Sequence, residues 1–360
     1  MFITEIQLKN FRNYHDLLIY PQKDINLIYG KNAQGKTNLI ESVYLASTGR
    51  SHRAIKENQL IKEGENGYLI KIKGIKDDIP FSLEIKYIKG EKRQIKINGL
   101  LVSKLGEMIG VLNTVIFSPE DLQIIKQGPS ERRRFIDILI SQTSSTYFYK
   151  LQKLNRIIKQ KNAVLKKYQH KELTDLLDVY NNKLEDISYE IIKERVKFLE
   201  ETEKHFNIFI KKLSNNNETG EIKYISSLGF TREEIKKNIH NNIKNEIKNK
   251  MTLYGPHRDD FTIFINDKDV KFFGSQGQQR TSVLALKLSE IEIIKEKTGY
   301  FPVLLLDDVM SELDLSRRKF LTESILTRQT FITSTEKKNY SQFLDKTTFY
   351  HVSQGIVEQR

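Results

Sequence analysis

Ile25-Asn-Leu-Ile-Tyr29 runs without a break into Gly30-Lys31-Asn32-Ala33-Gln34-Gly35-Lys36-Thr37, and a helical pattern of Leu39, Ile40, Val43 and Tyr44 follows. A short apolar strand, a loop of the form G-x4-G-K-T and a helix start make the strand-loop-helix setting of a phosphate-binding P-loop. Each part has a physical reason. Glycines let backbone N–H groups turn inward around phosphate oxygens, and the positive end of the next helix adds to their field. Lys36 then reaches the β- and γ-phosphates, and the Thr37 hydroxyl is a ligand for Mg2+.

A magnesium-nucleotide site also needs a carboxylate at the end of a buried strand. Val303-Leu-Leu-Leu-Asp307-Asp308 has that form. Its unbroken apolar run implies two covered faces and puts both acids at the carboxyl edge of a sheet, where ligands bind in α/β folds. Asp307 is the expected metal partner with Thr37, and Asp308 the residue that polarises an attacking water. Alone, an acidic pair after a core strand is weak; paired with the Gly30–Thr37 loop it is a strong signal for ATP with Mg2+.

Around these two motifs the chain has 360 residues, 38% of them apolar, which at roughly 150 per domain suits about two domains. No cysteine is present, which removes disulfides, thiolate metal sites and cysteine nucleophiles together. The first residues are acidic and alternating rather than basic then apolar, and no apolar run approaches the roughly 18 residues of a membrane span. A soluble, cytoplasmic protein with no membrane partner is the expectation. The balance of 59 Lys+Arg against 46 Asp+Glu, a formal +13, suits a polyanionic partner, although a Lys-, Ile- and Asn-rich composition also follows from an AT-rich genome.

Period-two alternation marks a strand at the start, with Phe2, Thr4, Ile6 and Leu8 on one face, and another at Phe81-Ser-Leu-Glu-Ile-Lys-Tyr87, turning into Gln94–Ile97. From Pro119 to about residue 250 the apolar spacing becomes three and four, as in Tyr147, Leu151, Leu154, Ile158 and Leu165. Strand patterns return at Phe261–Ile265 and Pro302–Leu306. The reading is an α/β fold: a discontinuous head with a mixed sheet from residues 1–118 and 251–360, and an α-helical lobe of residues 119–250 inserted between its halves.

Gly274-Ser275-Gln276-Gly277-Gln278-Gln279-Arg280 precedes a long helical pattern, about 25 residues before the acidic strand, and resembles the signature loop of the ABC ATPases. That resemblance implies that Ser275, Gly277 and Gln278 face the γ-phosphate held by the P-loop of a second copy, so that ATP binding drives a homodimer. Read without it, the segment is a polar turn capping a helix. Ser311-Glu-Leu-Asp314 looks like a D-loop crossing between copies. Phe331-Ile-Thr-Ser334-Thr335 carries hydroxyls where transporter relatives carry a switch histidine. Ser334 and Thr335 can donate a hydrogen bond to phosphate but cannot act as a base near neutral pH, so slow turnover is expected.

Within that superfamily, Leu8–Asn13, Gly49–Arg53, Phe117–Leu122, Gly128–Asp137, Lys159–Asn162, Gly255–Asp260 and Asp307–Asp314 resemble, in order, the blocks of the RecF family. The resemblance implies an ATP-controlled switch of recombinational gap repair with weak DNA-dependent ATPase activity. Its dimer would clamp duplex DNA at gaps or single-strand junctions, and would help load RecA together with RecO and RecR. It also implies that Arg12 and Asn13 touch the nucleotide base, against the plainer reading of a turn after the first strand. The second acid is aspartate, as in that family, where most ABC proteins have glutamate. A metal-contacting glutamine is not assignable; Ser118–Gln123 is its neighbourhood.

Between Asp137 and Glu172 there is no acidic residue, while Lys150, Lys153, Arg156, Lys159, Lys161, Lys166, Lys167 and Lys171 fall there. DNA backbone contact by the first five, or a charge match with Glu185, Asp186, Glu190 and Glu194 across a helical hairpin, explains this equally well, and the two can coexist. No base-reading motif stands out, so any DNA binding is expected to be shape- and backbone-driven. Three rivals remain: an SMC-like structural DNA tether, for which the helical insert is too short; a transporter's nucleotide-binding subunit, which lacks the switch histidine here; and a small-molecule P-loop kinase.

Overall fold

The computed structural model describes residues 1–54, 56–167, 171–336 and 347–360, the side chains of 171–175 excepted. The chain forms two compact units, residues 1–121 with 290–360 and residues 122–289. The second unit thus runs on to Ser289, beyond residue 250 where the helical spacing of the sequence ends.

Two six-stranded sheets build the first unit. One is antiparallel, with Phe2–Phe11 between Tyr14–Ile19 and Gly67–Lys76, followed outward by Ile79–Ile88, Gln94–Ile97 and Leu100–Val102. The other puts the P-loop strand Ile25–Tyr29 at its centre, flanked by Thr347–Ser353 and Thr330–Ser334. The acidic strand Val303–Leu306 and then Thr114–Phe117 lie beyond Thr330–Ser334, all parallel. Only Ile356–Gln359 runs antiparallel, at the edge. The P-loop helix Lys36–Thr48 lies in the core between the sheets. Leu39, Ile40 and Val43 pack among Ile6, Ile70 and Ile85 of one sheet and Ile28, Leu305 and Phe331 of the other. A helix covered on both sides needs no polar face, which is why its apolar pattern is only weakly one-sided.

The first strand departs from simple alternation. A bulge between Ile3 and Glu5 shifts its register against Gly67–Lys76, so Ile3 is buried while Phe2 and Thr4 are only half-buried. The backbone freed there is satisfied by a buried side chain: Ile3 N–H donates to Gln329 Oε1 at 2.6 Å, and Gln329 Nε2 donates to Ile3 O at 2.7 Å.

In the second unit, helices Pro129–Thr143, Ser145–Lys167 and Lys171–Leu213 carry the expected spacing, with Leu184, Ile187, Ile191 and Phe206 buried on the last. The stretch read as wholly helical also contains a strand, Gly220–Ile225. It pairs antiparallel with Asp260–Ile265, which in turn pairs with Lys268–Asp269. The strand read at Phe261–Ile265 therefore belongs to a small sheet of the lobe and not to the sheets of the head. Gly220-Glu-Ile-Lys-Tyr-Ile225 is itself alternating, but six residues among long helical runs give a short signal.

Arg195, 1% exposed, is the polar centre of this unit. Its guanidinium donates to Asp137 Oδ1 at 2.8 Å, Tyr147 Oη at 2.9 Å, Tyr224 Oη at 3.1 Å and Pro256 O at 2.7 Å. Burial opposes the charge, yet these neighbours outweigh it and hold the arginine firmly protonated. The acids of the Gly255–Asp260 block are likewise held by partners within this unit. Asp260 forms a two-pronged pair with Arg132, and Asp259 accepts from Tyr224 and Ser227.

Candidate nucleotide site

The P-loop leaves its strand at Gly30, whose N–H donates to Ser334 O across to the neighbouring strand. Gly35, at φ 118°, begins the helix in a left-handed conformation, and a Cβ there would lie 2.5 Å from Asn13 Nδ2, so both backbone shape and space require glycine. The loop is braced from behind. Tyr14 Oη donates to Gly35 O at 2.9 Å, Asn13 Nδ2 to Gln34 O at 2.8 Å, and Gln354 N–H to Gln34 Oε1 at 2.6 Å. Lys31, Asn32 and Ala33 form the exposed crest.

Lys36 is buried to 9% exposure, and its ammonium donates to Gly30 O at 2.6 Å and Lys31 O at 2.8 Å. Burial lowers its pKa, against the opposing pull of Asp308 and Asp307. Thr37 Oγ1 donates to Asp307 Oδ1 at 2.8 Å, across 270 residues of sequence. Asp307 sits where the acidic strand ends, its N–H bonded to Phe117 O at 2.8 Å. Burial pushes its carboxyl up from the ordinary range, against hydrogen bonds from Thr333 and Thr37.

Thr333 is the residue that the sequence reading missed. Its hydroxyl donates to Asp307 Oδ1 at 2.8 Å and accepts the N–H of Asp308 at 2.9 Å, so one side chain sets the spacing of both acids. The two hydroxyls singled out from the sequence do other things: Ser334 Oγ donates to Glu336 O at 2.9 Å, and Thr335 is exposed. Asp308 is exposed, with φ 54° at the turn into Val309–Ser311, a conformation that aspartate tolerates. Ser311 Oγ caps that turn by donating to Asp308 O at 2.7 Å. Asp314 begins the helix Leu315–Ile325, accepting from Arg317 N–H at 2.9 Å, and this backbone hydrogen bond holds its carboxyl below the usual range.

Arg12 is committed inside the fold. Its guanidinium makes a two-pronged pair with Glu41 at 2.8 Å and donates to Gln59 O at 2.7 Å. Glu41 is fully buried in the P-loop helix. Burial pushes its carboxyl up, but hydrogen bonds from Arg12 and Ser51 overcome this and hold it low. Asn13 is a brace of the loop: besides Gln34 it accepts from Asn38 Nδ2 at 2.8 Å. Neither geometry needs a base contact to account for it.

In the second unit Ser275 begins the helix Gln276–Thr298, and its Oγ accepts Gln278 N–H at 3.1 Å while Gln278 Oε1 accepts Ser275 N–H at 2.9 Å. This reciprocal cap leaves Ser275 exposed at a helix N-terminus, with Gly277 half-buried within the first turn. The Gln278 amide also donates to Glu218 Oε1 at 2.7 Å.

Burial divides the five basic candidates on Ser145–Lys167. Lys161 is 1% exposed in an ion pair with Glu246 at 2.6 Å, so it has no surface to offer a phosphate and is corrected to a structural residue. Lys150 is held by Glu190 at 2.9 Å and Glu194 at 2.5 Å, which is the charge match across the hairpin. Lys153, Arg156 and Lys159 are exposed, as are Lys166 and Lys167. The side chain of Lys171 lies outside the described residues.

No helix among the described residues is long and apolar enough to cross a membrane. The RecF/RecN/SMC N terminal domain family matches residues 2–358. The chain is 47% identical over 350 residues to the DNA replication and repair protein RecF of Acetivibrio thermocellus, covering 94% of both chains. It also superimposes on two solved structures at 38% identity. One, of "the recombination mediator protein RecF-ATPrS in RecFOR pathway", has a TM-score of 0.93 and is matched over 99% of this chain and 98% of that one. The other, of the same protein as "RecF-ATP", has a TM-score of 0.92 and is matched over 100% and 97%. With an α/β head, a P-loop and an acidic strand in one sheet, and a second, largely helical unit, the chain belongs to the RecF family of DNA replication and repair proteins.

Proposed function

We propose that this protein is an ATP-controlled DNA-binding switch: ATP with Mg2+ closes a homodimer over duplex DNA, and slow hydrolysis releases it. The observation that carries the reading is the hydrogen bond between Thr37 and Asp307. It joins the end of the P-loop to the end of the acidic strand and presents two hard oxygen donors 2.8 Å apart beside a buried lysine. Such a donor pair fits Mg2+, which takes few protein ligands and completes its shell with phosphate and water. When bound, the metal would neutralise charge on the β- and γ-phosphates. The relatives solved as RecF-ATPrS and RecF-ATP support the same nucleotide here.

The remaining roles belong to side chains of this chain. Lys36 exchanges its two carbonyl partners for phosphate oxygens. Asp308, exposed and fixed by Thr333 and Ser311, orients the water that attacks the γ-phosphorus as the bond to the bridging oxygen breaks, giving ADP and phosphate. No strong base lies among Thr333, Ser334 and Thr335, consistent with slow turnover. Ser275, Gly277 and Gln278 supply a helix start, exposed at Ser275, for the triphosphate of a second copy, and Ser311 and Asp314 serve as the D-loop that crosses between copies. Lys153, Arg156 and Lys159 meet the DNA backbone. The solved relatives act in the RecFOR pathway, which favours RecO and RecR as partners here in loading RecA.

Sedimentation and DNA binding with and without ATP test this. Wild type should dimerise with ATP and bind DNA more tightly. Lys36→Ala and Ser275→Arg should stay monomeric with weak DNA binding, and Asp308→Asn should accumulate the closed form. Unchanged dimerisation of Ser275→Arg would overturn the shared site.

A further inference from the structure

Phe272 and Phe273 are 72% and 74% exposed, two neighbouring aromatics in water immediately before the signature loop. They end the short helix Val270–Phe273, which starts where Asp269 accepts Lys271 N–H at 2.8 Å. Their position is fixed relative to Ser275. A Cβ on Gly274 would lie 2.6 Å from Val270 O, so the chain turns there with no slack, and Gln279 Nε2 donates to that same carbonyl at 3.2 Å. Val270 is 1% exposed and anchors the turn. Beside it a groove of about 180 Å³ is lined by Ile124, Ile125, Phe261, Ile263, Val270 and Phe272.

Adjacent exposed aromatics on a rigid support mark a surface that another molecule covers. Two occupants suit the chemistry. Single-stranded nucleic acid would stack its bases on the rings, with basic neighbours drawing in the backbone. However, the Lys271 ammonium lies 5.6 Å from the Phe272 ring centre and donates to Gln127 O at 3.2 Å, so it is turned onto the ring and the backbone rather than outward. A second copy of the chain fits better, because the rings are two and three residues from Ser275 and move with it. Any approach that brings a triphosphate to Ser275 brings its carrier to the rings.

We propose that Phe272 and Phe273 form the apolar contact by which one copy grips a second copy alongside the signature loop. This rests on the ATP-dimer reading above and adds the surface that stabilises it.

The full chain contains no cysteine, so Phe273→Cys introduces a single labelling site. Its maleimide labelling should slow several-fold when ATP and Mg2+ are added at concentrations where wild type sediments as a dimer. It should not slow in a Ser275→Arg background. In parallel, the Phe272→Ser/Phe273→Ser variant should keep its melting temperature and its affinity for a fluorescent ATP analogue as a monomer, while its ATP-dependent dimer weakens at least about tenfold. Equal dimerisation of that variant and wild type, or labelling unaffected by ATP in a wild-type-like dimer, would overturn the contact. Loss of oligo-dT binding with dimerisation intact would reassign the rings to nucleic acid. A wild type that stays monomeric with ATP would instead sink the dimer reading itself, and this contact with it.

Discussion

Thr333 controls two acids at once, and its chemistry can be separated from its volume. Thr333→Val keeps the shape but removes a donor to Asp307 and an acceptor of the Asp308 N–H. A hydrogen bond to a carboxylate such as that of buried Asp307 is worth about 1.5–3 kcal/mol, so thermal denaturation should show a loss of up to that order. ATP turnover should fall as well, and Thr333→Ser should restore both. A variant with wild-type turnover would show that Asp308 is positioned by other means. The reason Thr333 escaped the sequence reading is physical. Phe331-Ile-Thr-Ser-Thr335 offers three hydroxyls in a row, and only the pairing of Ile332 with Leu306 and Ser334 with Tyr29 decides which one points at the acids. The places of Lys36, Thr37, Asp307 and Asp308 at a helix start and a strand end were legible because contiguous strand-loop-helix and strand-end patterns mark them.

At the scale of the element, the lobe depends on a polar core that no local pattern announces. Asp137, Tyr147, Arg195, Tyr224 and Pro256 come from five separate segments and meet only when helix and sheet pack. Removing one partner of a buried charge leaves the other unpaired, so Asp137→Leu should destabilise the lobe by about 3–5 kcal/mol, read by denaturant unfolding. Arg195→Met with Asp137→Leu together should cost less than Asp137→Leu alone. Nearby, burial lowers the His257 pKa to about 4 from its ordinary 6.5, against its hydrogen bond with Thr252 O. The folded state therefore holds this imidazole neutral while the unfolded chain protonates it below about 6.5. Stability is fully present above that pH and drains by roughly 3 kcal/mol as pH falls to about 4. His257→Gln should flatten that part of the unfolding-versus-pH curve; an unchanged slope would place the proton uptake elsewhere. Helix periodicity foretold Pro129–Thr143 and Ser145–Lys167, whereas the sheet of Gly220–Ile225 with Asp260–Ile265 needed a pairing across 34 intervening residues that spacing alone does not encode.

Across the whole molecule, a formal charge of +13 overstates the surface available to a polyanion, because part of the basic inventory is already spent. Lys161 is buried on Glu246, Lys150 is clasped by two glutamates, and Arg132 and Arg195 are internal. Exposed on Ser145–Lys167 are also Lys153, Arg156, Lys159 and Lys166, which at 100° per residue occupy an arc of about 140°. In the sequence all of these residues carry equal weight, since a lysine in a buried pair and a lysine in water read alike until the partner helix is placed. Counterion release separates them experimentally. If the stripe meets phosphates, changing Lys153, Arg156 and Lys159 together to alanine should lower the slope of log affinity against log salt by up to about 3 for duplex DNA, with little change in melting temperature. Lys161→Ala should do the reverse, lowering stability by about 3 kcal/mol through the stranded Glu246 while leaving the slope intact. A triple variant whose salt slope matches wild type would move the DNA to another face of the protein.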